Sequence, residues 1–537
     1  MNIFHLNGND LTLQDLRQIV YERRPVILAA DARERVVKAR DVVDDLVAND
    51  RMAYAITTGV GKLADVRISA DQVRELQRNL VRSHAVGVGE PLHEPEVRAM
   101  ILLRANSLAK GHSGVRPVII DTLCEMLNRG VHPVIPSQGS VGASGDLAPL
   151  AHLAAVLIGE GHAYFADKPG KRNGRRPGDP HSRMLPAADA LKRAEIKPVT
   201  LEAKEAISLI NGTQAMLAVG TLALLAAEIL VDSADVIGSI TLDALHGTDV
   251  AFDQRIHQVR PHPGQITTAA NLRRMIEGSP LRDSHRGPDC KRVQDAYSLR
   301  CMPQVHGAVR DTLNHCRTVF ETEMNSAVDN PLVFPVPKRV GAPPPHIGAQ
   351  NALGDVLSGG NFHGEPLAFA LDFLAIALTA IAGMSERRIE RLVNPALNEG
   401  LPAFLAPGAG LNSGFMMPQV TAAALVSENK VWAHPASVDS ITTSGNKEDY
   451  VSMGMTAALK LQRVITNTRN VLAIEALAAA QAIDILAPLK PSKRAMRALT
   501  SIRKLSPMMD HDRSLHPDFA KISDLIASGA IAEVLFD

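Results

Sequence analysis

Two stretches of this chain leave little choice of architecture. From Glu202 to about Leu245, and from Pro366 to about Leu392, apolar side chains occupy nearly every face of a helix. A helix that is apolar all round has to be buried on every side, as the central helices of a large bundle are. Strand-like alternation is confined to short pieces, aromatic residues make up only 3% of the chain, and Ala and Leu are abundant. The expectation is an all-α fold in the main: a long central helix bundle with a smaller N-terminal lobe carrying loops. The divisions read from the sequence are 1–200 for the N-terminal lobe, 201–480 for the bundle and 481–537 for a C-terminal helical cap.

At 537 residues the chain exceeds what one core usually supports, so several lobes or an oligomer-supported body are expected. Local signals punctuate the helices. Ser69 with Gln72 reads as a capping box opening a helix at Val73, and Gly529 reads as a C-cap. Lys168 to Pro186 and Val333 to His346 are Pro/Gly-rich and read as surface excursions.

Composition excludes several function classes. Lys plus Arg and Asp plus Glu are each 57, a formal net charge of +0, which argues against a nucleic-acid or anionic-membrane surface. The basic cluster Lys168, Lys171, Arg172, Arg175 and Arg176 reads as a solvated loop. Cys124, Cys290, Cys301 and Cys316 lack zinc-binding spacing and read as reduced thiols of a cytoplasmic protein. Met1 to Arg17 has no signal-peptide pattern, and the apolar run Ala215 to Ala227 stops at Glu228, too short for a bilayer. The histidines are scattered and HEXXH is absent, so no metal site is expected.

The chemistry is concentrated at Gly139-Ser140-Val141-Gly142-Ala143-Ser144-Gly145-Asp146. If the Gly145 amide nitrogen attacks the Ala143 carbonyl carbon and two waters leave, one of them from Ser144, the product is a methylidene-imidazolone, an electron-poor alkene made from the backbone. Gly142 and Gly145 permit the compressed backbone this needs, and Asp146 is placed to move protons. The triplet alone is weak, since Ala527-Ser528-Gly529 repeats it after an apolar helical run. Context distinguishes the first copy: two further glycines, an acid and a Pro-containing apolar segment. That context resembles the prosthetic-group segment of the aromatic amino acid ammonia-lyases and aminomutases.

Further motifs extend the resemblance from roughly Leu13 to beyond Asp484. Tyr54-Ala55-Ile56-Thr57-Thr58-Gly59-Val60-Gly61 is similar to the family's catalytic loop, with Ala55 and Thr57 where Gly and Asn are usual. The match implies that Tyr54 is the general base; since a free phenol titrates near about 10, its site must favour the phenolate. Ser83-His84 resembles the histidine-specific members, whose residue here faces a polar ring. Asn211-Gly212-Thr213 resembles the segment whose Asn meets prosthetic group and substrate, and Phe362 is placed near that group.

Gln294, Tyr297 and Arg300, at i, i+3 and i+6, would share one helical face. The family match makes Arg300 the fork for the substrate carboxylate. Glu448 stands where phenylalanine and tyrosine enzymes carry an amide; a carboxylate pairs with an imidazole N–H, which points to histidine. Lys447 and Tyr450 depart from the usual Gln and His.

The resemblance thus implies an ammonia-lyase that converts L-histidine to trans-urocanate, in histidine catabolism. It would use a methylidene-imidazolone (MIO) formed autocatalytically from Ala143-Ser144-Gly145 and no diffusible cofactor. The family assembles as a homotetramer whose active sites draw on several chains. The alternatives are a 2,3-aminomutase, a lyase for tyrosine or phenylalanine, and a non-catalytic homologue. A hydrolase using Ser144 fails on G-x-S-x-G, because position 146 is Asp.

Overall fold

A computed structural model describes residues 2–165, 183–287, 293–336, 349–351 and 353–536. The basic cluster Lys168 to Arg176, Cys290, and residues 337–346 of the second Pro/Gly-rich stretch lie outside the described residues. The chain is mainly helical, as its periodicity predicts. It divides into two compact units, each assembled from three stretches: Met1–Leu222, Thr318–Ala370 and Ala436–Leu459 in the first; Ala223–Arg317, Leu371–Pro435 and Lys460–Asp537 in the second.

The longest helices are Gln214–Ala244, Met302–Met324, Glu365–Val393 and Gly454–Ile485. The third contains the apolar stretch from Pro366, while the stretch from Glu202 to about Leu245 is divided between a short helix, Glu205–Ile210, and Gln214–Ala244 by a break at Asn211-Gly212-Thr213. By length and composition Gln214–Ala244 and Glu365–Val393 would also cross a bilayer, but 72% and 61% of their most apolar windows are buried within the fold. The apolar run Ala215 to Ala227 ends at Glu228, which pairs with Arg317, while the helix that holds it continues to Ala244.

Strands are few and short. The first unit has a parallel pair, Phe4–Leu6 with Val26–Leu28, and an antiparallel pair, Val88–Pro91 with Pro136–Gln138. It also has two three-stranded antiparallel sheets, one of them running Leu332–Pro335, Gly354–Leu357, Ala349–Asn351. Prolines at 91, 133 and 136 remove ladder donors and keep these strands short.

Not every local signal acts as expected. The helix at Val73 forms, spanning Val73–His84, but Ser69 does not cap it: a 3₁₀ turn, Ala70–Gln72, intervenes and the Ser69 hydroxyl meets the Gln72 side chain at 2.9 Å. Capping boxes stand instead at Thr12 with Asp15 and at His93 with Glu96. Gly529 does follow a helix end, His516–Ala527, at φ +86°. Cys124, Cys301 and Cys316 are unbridged, and burial pushes the Cys124 and Cys316 thiols up to about 12.

Each unit has its own core. In the first, Val42, Leu46, Ile56 and Val333 pack together, and Ala143, Val451 and Met453 form a smaller cluster beneath the Ser144 segment. In the second, Ile389, Ala422, Val471 and Ile474 form one such cluster.

Candidate active site

The segment 139–146 is held by the starts of four helices. Leu147–Leu157 begins directly after it. The Asp146 carboxylate, fully buried, accepts from the Met216 amide in the first turn of Gln214–Ala244 at 2.8 Å and from the Ser140 hydroxyl at 2.7 Å. The Gly364 amide, just before Glu365–Val393, donates to the Gly142 carbonyl at 3.3 Å. That carbonyl also accepts from the Ser452 hydroxyl at 3.0 Å, and the same hydroxyl accepts from the Gly454 amide, the first residue of Gly454–Ile485, at 3.2 Å. Helix N-termini carry partial positive charge from unpaired amides, so their convergence makes this segment electron-withdrawing.

Two glycines are required by geometry. Gly142 and Gly145 adopt φ +69° and +70°, and a Cβ on Gly145 would lie 2.1 Å from the Gly212 carbonyl oxygen. Both glycines thus take a left-handed backbone that other residues rarely adopt. Burial raises the Asp146 carboxyl to about 6, with the Met216 and Ala215 amides and Ser140 opposing the shift.

The Ser144 hydroxyl donates to Glu448 Oε1 at 2.8 Å, and Glu448 Oε2 accepts from the Thr443 hydroxyl at 2.7 Å. The Tyr54 loop lies against the same turn: Lys62 packs over Gly445, whose Cβ would lie 3.6 Å from its side chain. Half-buried Tyr54 receives the Gly61 amide on its hydroxyl oxygen at 3.2 Å. Ala55 sits at φ +55°, a left-handed conformation that glycine adopts without strain and alanine does not.

Asn211 is buried; its Nδ2 donates to the Asn330 carbonyl at 3.2 Å, while its Oδ1 accepts no hydrogen bond among the described residues. The backbone carbonyl of Asn211 takes Arg104 Nη1 at 2.8 Å, and Arg104 also reaches Gln214 at 2.9 Å. Asn330 in turn takes the Gly359 amide at 2.7 Å, which fixes the turn leading to half-buried Phe362. Beside Asn330, Asp329 is paired with the buried Lys204 at 2.8 Å. His84 closes its helix with Nδ1 2.8 Å from the Leu80 carbonyl. A carbonyl can only accept, so Nδ1 bears a proton. The strand following His84 pairs with Pro136–Gln138, immediately before the Ser144 segment.

The first unit therefore contains Tyr54, His84, Ala143, Ser144, Gly145, Asn211, Phe362 and Glu448, and the second contains Gln294, Tyr297 and Arg300. The helical face expected for the last three is only partly formed. The helix is a single turn, Tyr297–Arg300, and Gln294 precedes it in irregular chain because Asp295 is drawn to the Thr248 amide at 2.6 Å. Arg300 and Tyr297 do share a face, the guanidinium lying 4.8 Å from the ring centre.

Sequence reading missed Ser140, Ser452, Thr443 and Arg104. For Arg104 a signal existed: a cation inside Met100-Ile-Leu-Leu-Arg-Ala-Asn-Ser-Leu-Ala109, an otherwise apolar helix, is retained where it has buried acceptors to serve.

Comparison with known proteins agrees over the whole chain. Residues 11–504 match the family model described as aromatic amino acid lyase. Histidine ammonia-lyase from Koribacter versatilis (strain Ellin345) is 68% identical over 535 residues, 99% of each chain. Among solved structures, histidine ammonia-lyase from Trypanosoma cruzi superposes with TM-score 0.87 at 40% identity, covering 100% of this chain and 95% of that one. Tyrosine aminomutase from Streptomyces globisporus gives 0.88 at 38%, covering 100% and 98%. With its helix starts gathered on an Ala-Ser-Gly segment and its relatives matched from end to end, this chain belongs to the aromatic amino acid lyase family.

Proposed function

We propose that this chain is a histidine ammonia-lyase, a carbon–nitrogen lyase that eliminates ammonia from L-histidine to give trans-urocanate. The observation that carries the reading is the Ser144–Glu448 contact at 2.8 Å inside the ring of helix starts. It joins the residue that would become the electrophile to the carboxylate that would select an imidazole. The 68% identity to a histidine ammonia-lyase supports the same substrate.

The residues fit a methylidene-imidazolone formed from Ala143-Ser144-Gly145. The left-handed Gly142 and Gly145 compress the backbone, and the buried, unpaired Asn211 Oδ1 is an acceptor in want of a donor. Such a group supplies an electron-poor alkene, a sink for electrons as nitrogen leaves. Tyr54 removes the β-proton, and the Gly61 amide supports its oxygen when that oxygen is negative. Glu448 accepts the imidazole N–H, and His84 faces the ring's other edge. Asn211 and Phe362 confine the substrate beside the electrophile. Arg300 binds the carboxylate as a planar fork, with Gln294 and Tyr297 beside it.

The site is completed in a homotetramer drawing residues from more than one copy. In support, Phe369, Phe373 and Ile376 lie along one face of Glu365–Val393 at 45%, 41% and 49% exposure, an apolar stripe that a further copy would cover. A cytoplasmic location agrees with the unbridged cysteines.

The test pairs mass with turnover. Purified chain should weigh two waters less than its sequence, and Ser144→Ala should restore the full mass. L-histidine should yield the ultraviolet absorbance of urocanate while L-phenylalanine and L-tyrosine yield no enoate. Glu448→Gln should cut histidine turnover about a hundredfold or more. Full mass in the wild type would sink the electrophile; a β-amino acid product would make the chain an aminomutase.

A further inference from the structure

Arg300 stands on one helical turn, closed by its own amide on the Ala296 carbonyl at 3.0 Å and by the Cys301 amide on the Tyr297 carbonyl at 2.9 Å, and followed after one residue by Met302–Met324. That helix anchors its C-terminal end, and other contacts hold its N-terminal end and its floor. Just before the turn, buried Asp295 accepts from the Thr248 amide at 2.6 Å. Thr248 is itself pinned: Arg282 donates to its hydroxyl at 3.1 Å and to Asp249 at 3.0 Å. Within the turn, Leu299 is buried and the Ser298 carbonyl accepts from Arg388 Nη1 at 3.4 Å.

Arg388 cannot yield. It is fully buried and bidentate on Glu475, at 2.5 and 2.9 Å, and Glu475 also takes the Thr241 hydroxyl at 2.8 Å. One turn from Thr241, Gly238 makes room for Met302, whose Sδ would lie 2.6 Å from a Cβ there. Against this fixed floor the Arg300 guanidinium lies on Tyr297 with its Nε unbonded among the described residues.

We propose that Asp295 and the Arg388–Glu475 pair are positioning residues for Arg300, holding its turn so that the guanidinium meets the substrate carboxylate in one orientation. A planar fork bonds a carboxylate through two parallel N–H groups only when the planes agree, so a turn free to rock loses affinity. The inference rests on the reading of Arg300 as the carboxylate holder.

The experiment is steady-state turnover of L-histidine by the full chain, with histamine, which has the imidazole and amine but no carboxylate, as inhibitor. Asp295→Ala should raise KM about tenfold or more while kcat changes by less than about threefold. The histamine inhibition constant, the melting temperature and the two-water mass deficit should stay put. Asp295→Asn keeps an oxygen for the Thr248 amide and should recover most of the loss. Should Asp295→Ala not fold, Arg388→Lys, which keeps the charge but loses the fork, carries the same expectation.

An unchanged KM overturns the proposal, as does a histamine constant that rises with KM or an Asp295→Asn variant as impaired as the alanine. Arg300→Lys separates the two levels. If it raises KM and Asp295→Ala does not, the positioning role alone fails; if it leaves KM unmoved, the assignment of Arg300 fails and the inference with it.

Discussion

Two buried aspartates, one in each unit, are held in opposite ways. Asp146 is surrounded by neutral donors, the Met216 and Ala215 amides and the Ser140 hydroxyl, and burial wins: its carboxyl rises to about 6. Asp235 is equally buried, yet Arg310, His306 and Asn271 outweigh desolvation and hold its carboxyl below the ordinary range. Around Ser144 the fold thus works with helix starts and backbone amides; in the second unit it works with full charges cancelled pair by pair. A cation placed beside the Ser144 segment would be neutralised by the nearest carboxylate, whereas fixed peptide dipoles leave the site electron-withdrawing. Where only cohesion is needed, compensated charges suffice.

Three substitutions would break or sharpen this contrast. The largest effect is expected at Gly145→Ala, where the new methyl meets backbone at 2.1 Å with φ at +70°. Neutral packing that tight has no slack, so a loss on the order of 5 kcal/mol in denaturant unfolding is expected. A stable Gly145→Ala chain would mean the segment is not compressed. Next comes Arg388→Met, which strands the buried Glu475 carboxylate and should cost about 4 kcal/mol. Adding Glu475→Leu should return most of that, because a compensated pair resists being halved more than being removed. If the double variant is as unstable as the single, the pair is more than compensation.

The third concerns Asp243, 1% exposed and raised by burial to about 7, with Ser279 and Arg282 opposing. The folded chain then keeps a proton that the unfolded chain, near 3.8, has lost. Stability from this group is full below 3.8 and falls as pH rises towards 7. Asp243→Asn should flatten that decline, worth on the order of 3 kcal/mol, in melts across the range. An unaltered profile would mean that Asp243 is as well compensated as Asp235.

What was legible in the sequence follows from how far each signal reaches. Helix periodicity is local, so Gln214–Ala244 and Glu365–Val393 were foreseeable, as were the motifs around Tyr54, Ser144 and Asn211. Partnerships were not: Ser144 and Glu448 stand 304 residues apart, and no spacing rule links them. Where a local rule failed, a competitor is visible. The Ser69 hydroxyl went to the Gln72 side chain instead of a backbone amide. Asp295 was drawn to Thr248, so Gln294 fell outside the helix that its spacing suggests.

The four helix starts on the Ser144 segment also carry a statement about time. They begin at residues 147, 214, 365 and 454, so the clamp draws on chain synthesised long after Ser144 itself. A growing polypeptide that has reached residue 300 contains the whole Ala-Ser-Gly triplet and the first two helix starts but lacks Gly364, Glu448 and Ser452, so the clamp is half built. The full set of helix starts around the triplet is thus withheld until the chain is nearly complete.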